Sequence, residues 1–125
     1  MTQRSPGVVA IVDDDRAVLD SLRFLLEVIG YQVVTHASAE AFLNDRGASH
    51  MSGPTCLILD QHMPRMTGLE LARALRDDGD EIPILLITGS PSPAIAQRAA
   101  QLGIVDVLEK PPEEEDLLNF LKMYI

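Results

Sequence analysis

Five short apolar runs recur along the chain: Val8–Val12, Gln32–His36, Cys56–Leu59, Ile84–Ile87 and Val105–Leu108. Each is followed by a segment that can be read as a helix, and this alternation leaves few folds open. Four of the runs are nearly continuous in Val, Ile and Leu, as strands buried on both faces of a parallel sheet should be. The second is more polar and suits a sheet edge. After the first run, Val18, Leu22, Leu25 and Ile29 form an apolar stripe, and Gly30 is placed to stop a helix. After the third, Thr67-Gly68-Leu69-Glu70 reads as a capping box, followed by Leu71, Ala72 and Leu75, with Gly79 as the stop. Ser92-Pro93 supplies a cap and a first-turn proline after the fourth run, and Gly103 closes that segment. After the fifth, Pro112 and the acidic Glu113–Asp116 suit a helix N-terminus, and Leu117, Leu118 and Leu121 supply its stripe. The helix after the second run, near Ala39–Asn44, has the weakest signal, and Gly47–Pro54 reads as a loop. Five βα units in succession predict an α/β fold: a doubly wound parallel five-stranded sheet with helices on both faces and right-handed crossovers.

The 125 residues are enough for one domain, spanning the chain with residues 1–7 as an N-terminal tail, and too few for two. With no Trp, three Phe and two Tyr, the core must come from Leu, Ile, Val and Ala. The net charge of −9 and ten scattered Lys and Arg argue against nucleic-acid binding by this chain, which needs clustered basic groups. Cys56 is the only cysteine, so no internal disulfide is possible, and its apolar neighbours mark it as a small buried hydrophobe. No apolar stretch approaches the roughly 20 residues that span a bilayer, and Met1–Gly7 lacks an apolar signal core. A cytoplasmic location, with no membrane contact, is the expectation.

In an open parallel sheet the functional site lies at the carboxyl ends of the strands. The first run ends in Asp13-Asp14-Asp15, the third in Asp60 and the fourth in Thr88, and the fifth leads to Lys110. Carboxylates gathered this closely repel one another and call for a cation. Oxygen-only ligands favour Mg²⁺, which keeps several waters and binds one or two carboxylates together with phosphate oxygens. Phosphoryl transfer needs the same equipment: an in-line nucleophile, a metal, and donors for the remaining charge. Asp60 can be the nucleophile, Thr88 a hydroxyl donor and Lys110 the countercharge.

Ile11-Val12-Asp13-Asp14-Asp15, Leu59-Asp60-Gln61-His62-Met63-Pro64 with Gly68, Ile87-Thr88-Gly89 and Glu109-Lys110-Pro111 resemble the four ordered motifs of response-regulator receiver domains. Ser38-Ala39-Glu40-Ala41-Phe42-Leu43 adds a likeness to the FixJ-type branch. The resemblance runs from about Val8 to the C-terminus, and four motifs in this order are specific where one alone is weak. It implies a flavodoxin-like strand order 2-1-3-4-5 and phosphorylation of Asp60 by a sensor histidine kinase or phosphotransfer protein. It further implies that the domain catalyses its own phosphorylation and dephosphorylation rather than acting as an enzyme on a separate substrate. Asp14 would bind Mg²⁺ directly and Asp13 through water, with Asp60 and the backbone carbonyl of His62 completing the protein ligands. Thr88 would swing towards the phosphoryl group, Lys110 would pair with it, and the Lys110-Pro111 bond would be cis. A homodimer through the 4-5-5 face (fourth helix, fifth strand, fifth helix) is a further implied partner state.

Two positions depart from the pattern. Receivers usually carry Tyr or Phe three residues before the lysine, where this chain has Val107, and commonly Phe after Lys-Pro, where it has Pro112. Phosphoryl chemistry should survive both changes; what they put in question is how the signal reaches the 4-5-5 face. Asp15 on its own reads as a helix cap, Thr88 as a turn residue and Lys110 as a surface lysine, so the last two gain weight only from their company. His62 lies beside the site, where a histidine is more often a loop residue than a catalytic one, though it can alter the lifetime of a phosphorylated state. Met63 and Met66 read as packing, and His36 and His50 carry no signal. Two rival functions stay open. A phosphatase of the haloacid dehalogenase type would use Asp13 of Asp13-x-Asp15 as nucleophile, but lacks a later acidic pair and leaves Asp60 idle. A receiver-like interaction module that is never phosphorylated is kept alive by Val107. A flavin or nucleotide site is weaker, because no Gly-rich dinucleotide turn or Walker A motif occurs.

Overall fold

The computed structural model describes residues 7–48 and 53–125. The expected tail up to Arg4-Ser5-Pro6 and part of the expected Gly47–Pro54 loop lie outside the described residues. Strands and helices alternate along the chain as β1 (Val8–Val12), α1 (Arg16–Ile29), β2 (Gln32–His36), α2 (Ala39–Ala48), β3 (Cys56–Asp60), α3 (Gly68–Asp77), β4 (Ile84–Thr88), α4 (Pro93–Gln101), β5 (Asp106–Glu109) and α5 (Glu114–Tyr124). All neighbouring strands are parallel and their order is β2-β1-β3-β4-β5, as the resemblance implies.

Period-two alternation on the three central strands divides the interior into two cores. Ala10, Val12, Leu57, Leu59, Ile84 and Leu86 face α2, α3 and α4, packing with Phe42, Leu71 and Leu75. Val9, Ile11, Cys56, Ile58, Leu85 and Ile87 face the other way, against Leu19, Leu22 and Leu26 of α1 and Leu117, Phe120 and Leu121 of α5. Strands covered on both sides have no room for polar residues, which is why their sequence runs are continuous. Cys56 is buried as expected, and burial pushes its thiol up to about 12.

The helix ends carry the expected chemistry. Asp15 caps α1 by accepting the Ala17 and Val18 N–H groups, and Gly30 closes it at φ 119°. Thr67 and Glu70 form the reciprocal capping box of α3, and Ser92 caps α4 ahead of Pro93. Arg76, in the last turn of α3, donates to the carbonyls of Leu102 (2.8 Å), Asp80 (2.9 Å) and Ile82 (2.9 Å), tying α3 to the turns around β4 and α4. Replacing Arg76 with Ala is expected to cost about 1–3 kcal/mol in urea unfolding, the range for orphaning partly buried acceptors.

Several expectations need correction. The stripe of α1 is rotated: Leu19, Leu22 and Leu26 are buried, Val18 and Leu25 only half so, and Ile29 is exposed, because the helix seats its i, i+3, i+7 row on the sheet. In α5 Phe120 is buried and Leu118 half-buried. The fifth run begins one residue late: Val105 is exposed and β5 is half-buried, since it is a sheet edge with one neighbour. The third and fourth strands each reach one residue further, to Asp60 and Thr88, so both side chains leave from within the hydrogen-bonded ladder. Helix α2 extends through Gly47 and Ala48, shortening the expected loop.

Candidate functional site

The strand order reverses direction between β1 and β3, the place where sheets of this kind bind ligands at their carboxyl edge. Asp13 follows β1 and Asp60 ends β3, so the topology alone brings the two carboxylates side by side. The sheet ladder runs on past the strands. Asp13 N–H donates to His36 O, Gln61 N–H to Ile87 O and Lys110 N–H to Thr88 O, at 2.9–3.1 Å. Each candidate side chain therefore leaves a backbone that is already fixed.

Asp13 and Asp60 are each 3% exposed and Thr88 is fully buried. Lys110 reaches between the carboxylates, with Nζ 3.0 Å from Asp13 Oδ2 and 3.1 Å from Asp60 Oδ1. Asp13 Oδ1 also accepts the Asp15 N–H at 2.9 Å. Asp60 Oδ1 is buried and receives no directed hydrogen bond; the ammonium meets it as a charge only. Burial and the neighbouring Asp13 charge push the Asp60 carboxyl above its usual value, against the pull of Lys110 and the His62 backbone. Burial draws the Lys110 ammonium down, but its close contacts with the Asp13 and Asp60 carboxylates outweigh that and raise it.

The exposed Asp14 completes a triangle: one carboxylate oxygen from each of Asp13, Asp14 and Asp60 lies within 4.8 Å of the others. Three carboxylates against one ammonium, with a buried oxygen lacking a donor, make a donor set that fits a hard divalent cation. Asp15 is not part of it, because its carboxylate is committed to the first turn of α1.

The loop after β3 holds the site from the other side. Gln61 is buried, and its Oε1 accepts the Leu69 N–H at 2.8 Å, fixing the start of α3 beneath Asp60. A polar residue at the end of an apolar strand must find such a partner, a signal that the sequence reading passed over. A Cβ on Gly68 would stand 2.5 Å from Asp60 O and 2.9 Å from Leu86 Cδ1, so only glycine lets α3 start this close. The variant Gly68→Ala is expected to lose about 1–3 kcal/mol by overpacking and to weaken divalent-metal binding by displacing Asp60; urea unfolding and a metal titration check the two effects. Met63 is buried and Met66 packs against the core, as expected of packing residues. His62 is exposed, but its Nε2 contacts Thr88 Oγ1 at 2.8 Å, a bond that the sequence does not announce. Val107 packs half-buried against the α2–α3–α4 core, with no ring to turn. The Lys110-Pro111 bond is cis. His36 contacts Asp45 and Phe42, away from this edge.

Residues 9–122 match the response regulator receiver domain family. The chain belongs to that family. Among similar receivers, the response regulator protein TmoT of Ectopseudomonas mendocina is 44% identical over 116 residues, covering 93% of this chain and 51% of that protein. The transcriptional regulatory protein FixJ of Bradyrhizobium diazoefficiens is 35% identical over 119 residues, covering 95% of this chain and 57% of that protein. The crystal structure of FixJ-N superposes with a TM-score of 0.83 at 37% identity, covering 95% of this chain and 93% of that one. The likeness to the FixJ branch thus holds in both sequence and fold. This receiver spans about half the length of the curated relatives that it matches. Among the described residues no helix is long and apolar enough to cross a membrane.

Proposed function

We propose that this receiver accepts a phosphoryl group on Asp60 from a phosphohistidine of a sensor histidine kinase or phosphotransfer protein. The observation that carries the reading is the position of Asp60: a buried carboxylate at the switch point, flanked by Asp13, Asp14 and Lys110. Asp13, Asp14, Asp60 and the His62 backbone carbonyl would hold Mg²⁺, which supplies positive charge to the incoming phosphoryl oxygens and orients them for in-line transfer. The Asp60 carboxylate oxygen forms the new O–P bond while the P–N bond to the donor histidine breaks and its electron pair returns to the imidazole. Lys110, already between the two carboxylates, pairs with the added charge, and Thr88 offers its hydroxyl to a phosphoryl oxygen. Attack of water on phosphorus later releases phosphate and restores the carboxylate.

Beside Lys110 an apolar groove between α1 and α5, lined by Val18, Leu22, Leu25, Pro111 and Leu117, gives the donor protein a footing next to the nucleophile. The added charge biases a two-state surface that controls an output domain or partner in the cytoplasm. Pairing of two phosphorylated copies through the α4–β5–α5 face is one form of that output. A phosphatase centred on Asp13 and Asp15 is disfavoured by the commitment of Asp15 to the α1 cap. Incubation with acetyl phosphate and Mg²⁺ should add one phosphoryl group in the intact mass and none without the metal. A protein that binds Mg²⁺ but takes up no phosphoryl group from acetyl phosphate or from a kinase contradicts the reading.

A further inference from the structure

His62 is exposed, yet its Nε2 lies 2.8 Å from Oγ1 of the fully buried Thr88. The same oxygen accepts the Ser90 backbone N–H at 3.0 Å. A hydroxyl has one proton and two lone pairs. With the ring proton on Nδ1, Nε2 takes the Thr88 O–H, and the proton that Thr88 would offer elsewhere is already engaged. With the ring proton on Nε2, the imidazole and Ser90 fill both lone pairs and fix the rotation of the hydroxyl. In either tautomer Thr88 is bound to the loop after β3, whereas Val107 on β5 has no polar atom and no ring.

We propose that His62 is a positioning residue whose imidazole holds the Thr88 hydroxyl in the unphosphorylated arrangement, so that switching must break the His62–Thr88 hydrogen bond. This rests on the reading of Asp60 and Thr88 given above. A contact made in one of two states shifts the equilibrium towards that state by its own free energy. Losing one neutral hydrogen bond of ordinary net strength changes such an equilibrium about fivefold. His62 thereby taxes activation without touching the phosphoryl group through its side chain.

Beryllofluoride with Mg²⁺ is the probe, because it occupies an aspartyl carboxylate as a phosphoryl group does. The variant His62→Ala should bind it about fivefold tighter than the parent. His62→Gln, which places a polar atom at similar reach, should return affinity towards the parent value. In a Thr88→Ala background His62→Ala should give no tightening, since the partner is gone. In the metal-free parent, the His62 Nε2 resonance should move when Thr88 becomes Ala. Equal tightening in both backgrounds would overturn the proposal, because His62 would then act only by crowding the site; unchanged or weaker binding by His62→Ala would overturn it too. A parent protein that binds no beryllofluoride in Mg²⁺, while the metal-free resonance still reports the His62–Thr88 contact, locates the failure in the reading of Asp60 as phosphoacceptor instead.

Discussion

Substitution of Asp60 by Asn should abolish phosphoryl uptake from acetyl phosphate while leaving the fold intact and, without metal, no less stable than the parent at neutral pH. The amide keeps the shape and removes the charge. The sign of the stability change follows from the proton. Burial and Asp13 raise the Asp60 carboxyl in the folded protein above its ordinary value of 3.8, so the folded state holds that proton more tightly than the unfolded chain. An ionised Asp60 therefore costs stability at neutral pH. The cost fades as pH falls through the raised value, and it is absent below the unfolded one. Asn removes the cost and its pH dependence together, while Lys110 keeps Asp13 at 3.0 Å. Thermal unfolding of both proteins between pH 7 and pH 4, metal-free, reads this directly: the gap between them should narrow on acidification. A large loss of stability in Asp60→Asn would show that the Lys110 contact outweighs the repulsion.

Removing Lys110 should act in the opposite sense. Its ammonium stands between two buried carboxylates, and Lys110→Ala leaves both without a countercharge. Breaking such a pair from one side costs about 3–5 kcal/mol when fully buried. Lys110 is 27% exposed, which brings the expected loss in the metal-free protein to about 1–3 kcal/mol. Mg²⁺ should recover most of that loss, because under the proposed function the cation would meet the same carboxylates, so the variant should gain more from added metal than the parent does. The raised Lys110 value adds a second signature. Its contribution is fully present below the unfolded value of about 10.5 and is lost as pH rises through the higher folded one. The parent but not Lys110→Ala should show that alkaline decline. Phosphoryl uptake by the variant should fall steeply, since no other cation lies beside Asp60 among the described residues. Denaturant curves with and without Mg²⁺, alongside intact masses, check both effects.

Most of the architecture was legible because its physics is local. Continuous apolar runs mark doubly covered strands, and Thr67, Ser92 and Gly30 punctuate helices by hydrogen bonds that span a few residues. The carboxyl-edge rule then brings Asp13, Asp60, Thr88 and Lys110 to one place from the sequence alone. What was misread depends on neighbours remote in sequence. The rotation of α1 onto Leu19, Leu22 and Leu26 is set by the sheet surface beneath it, and the half-burial of β5 by its having a single partner strand. The Gln61–Leu69 bond, the Gly68 contact with Asp60 O and the His62–Thr88 bond are properties of the folded loop after β3. Motif spacing names those residues but does not say what they touch. Val107 is the reverse case: the sequence shows that the usual ring is missing, and the structure places a short side chain against the core in its stead.

The most direct test of the central claim is to trap the acyl phosphate and locate it. Protein treated with acetyl phosphate and Mg²⁺ is reduced with borohydride, which converts a phosphorylated aspartate to homoserine, and the peptides are mapped by mass spectrometry. The account predicts homoserine at position 60 alone, dependent on Mg²⁺. Homoserine at position 13 would move the nucleophile to β1 and contradict the account.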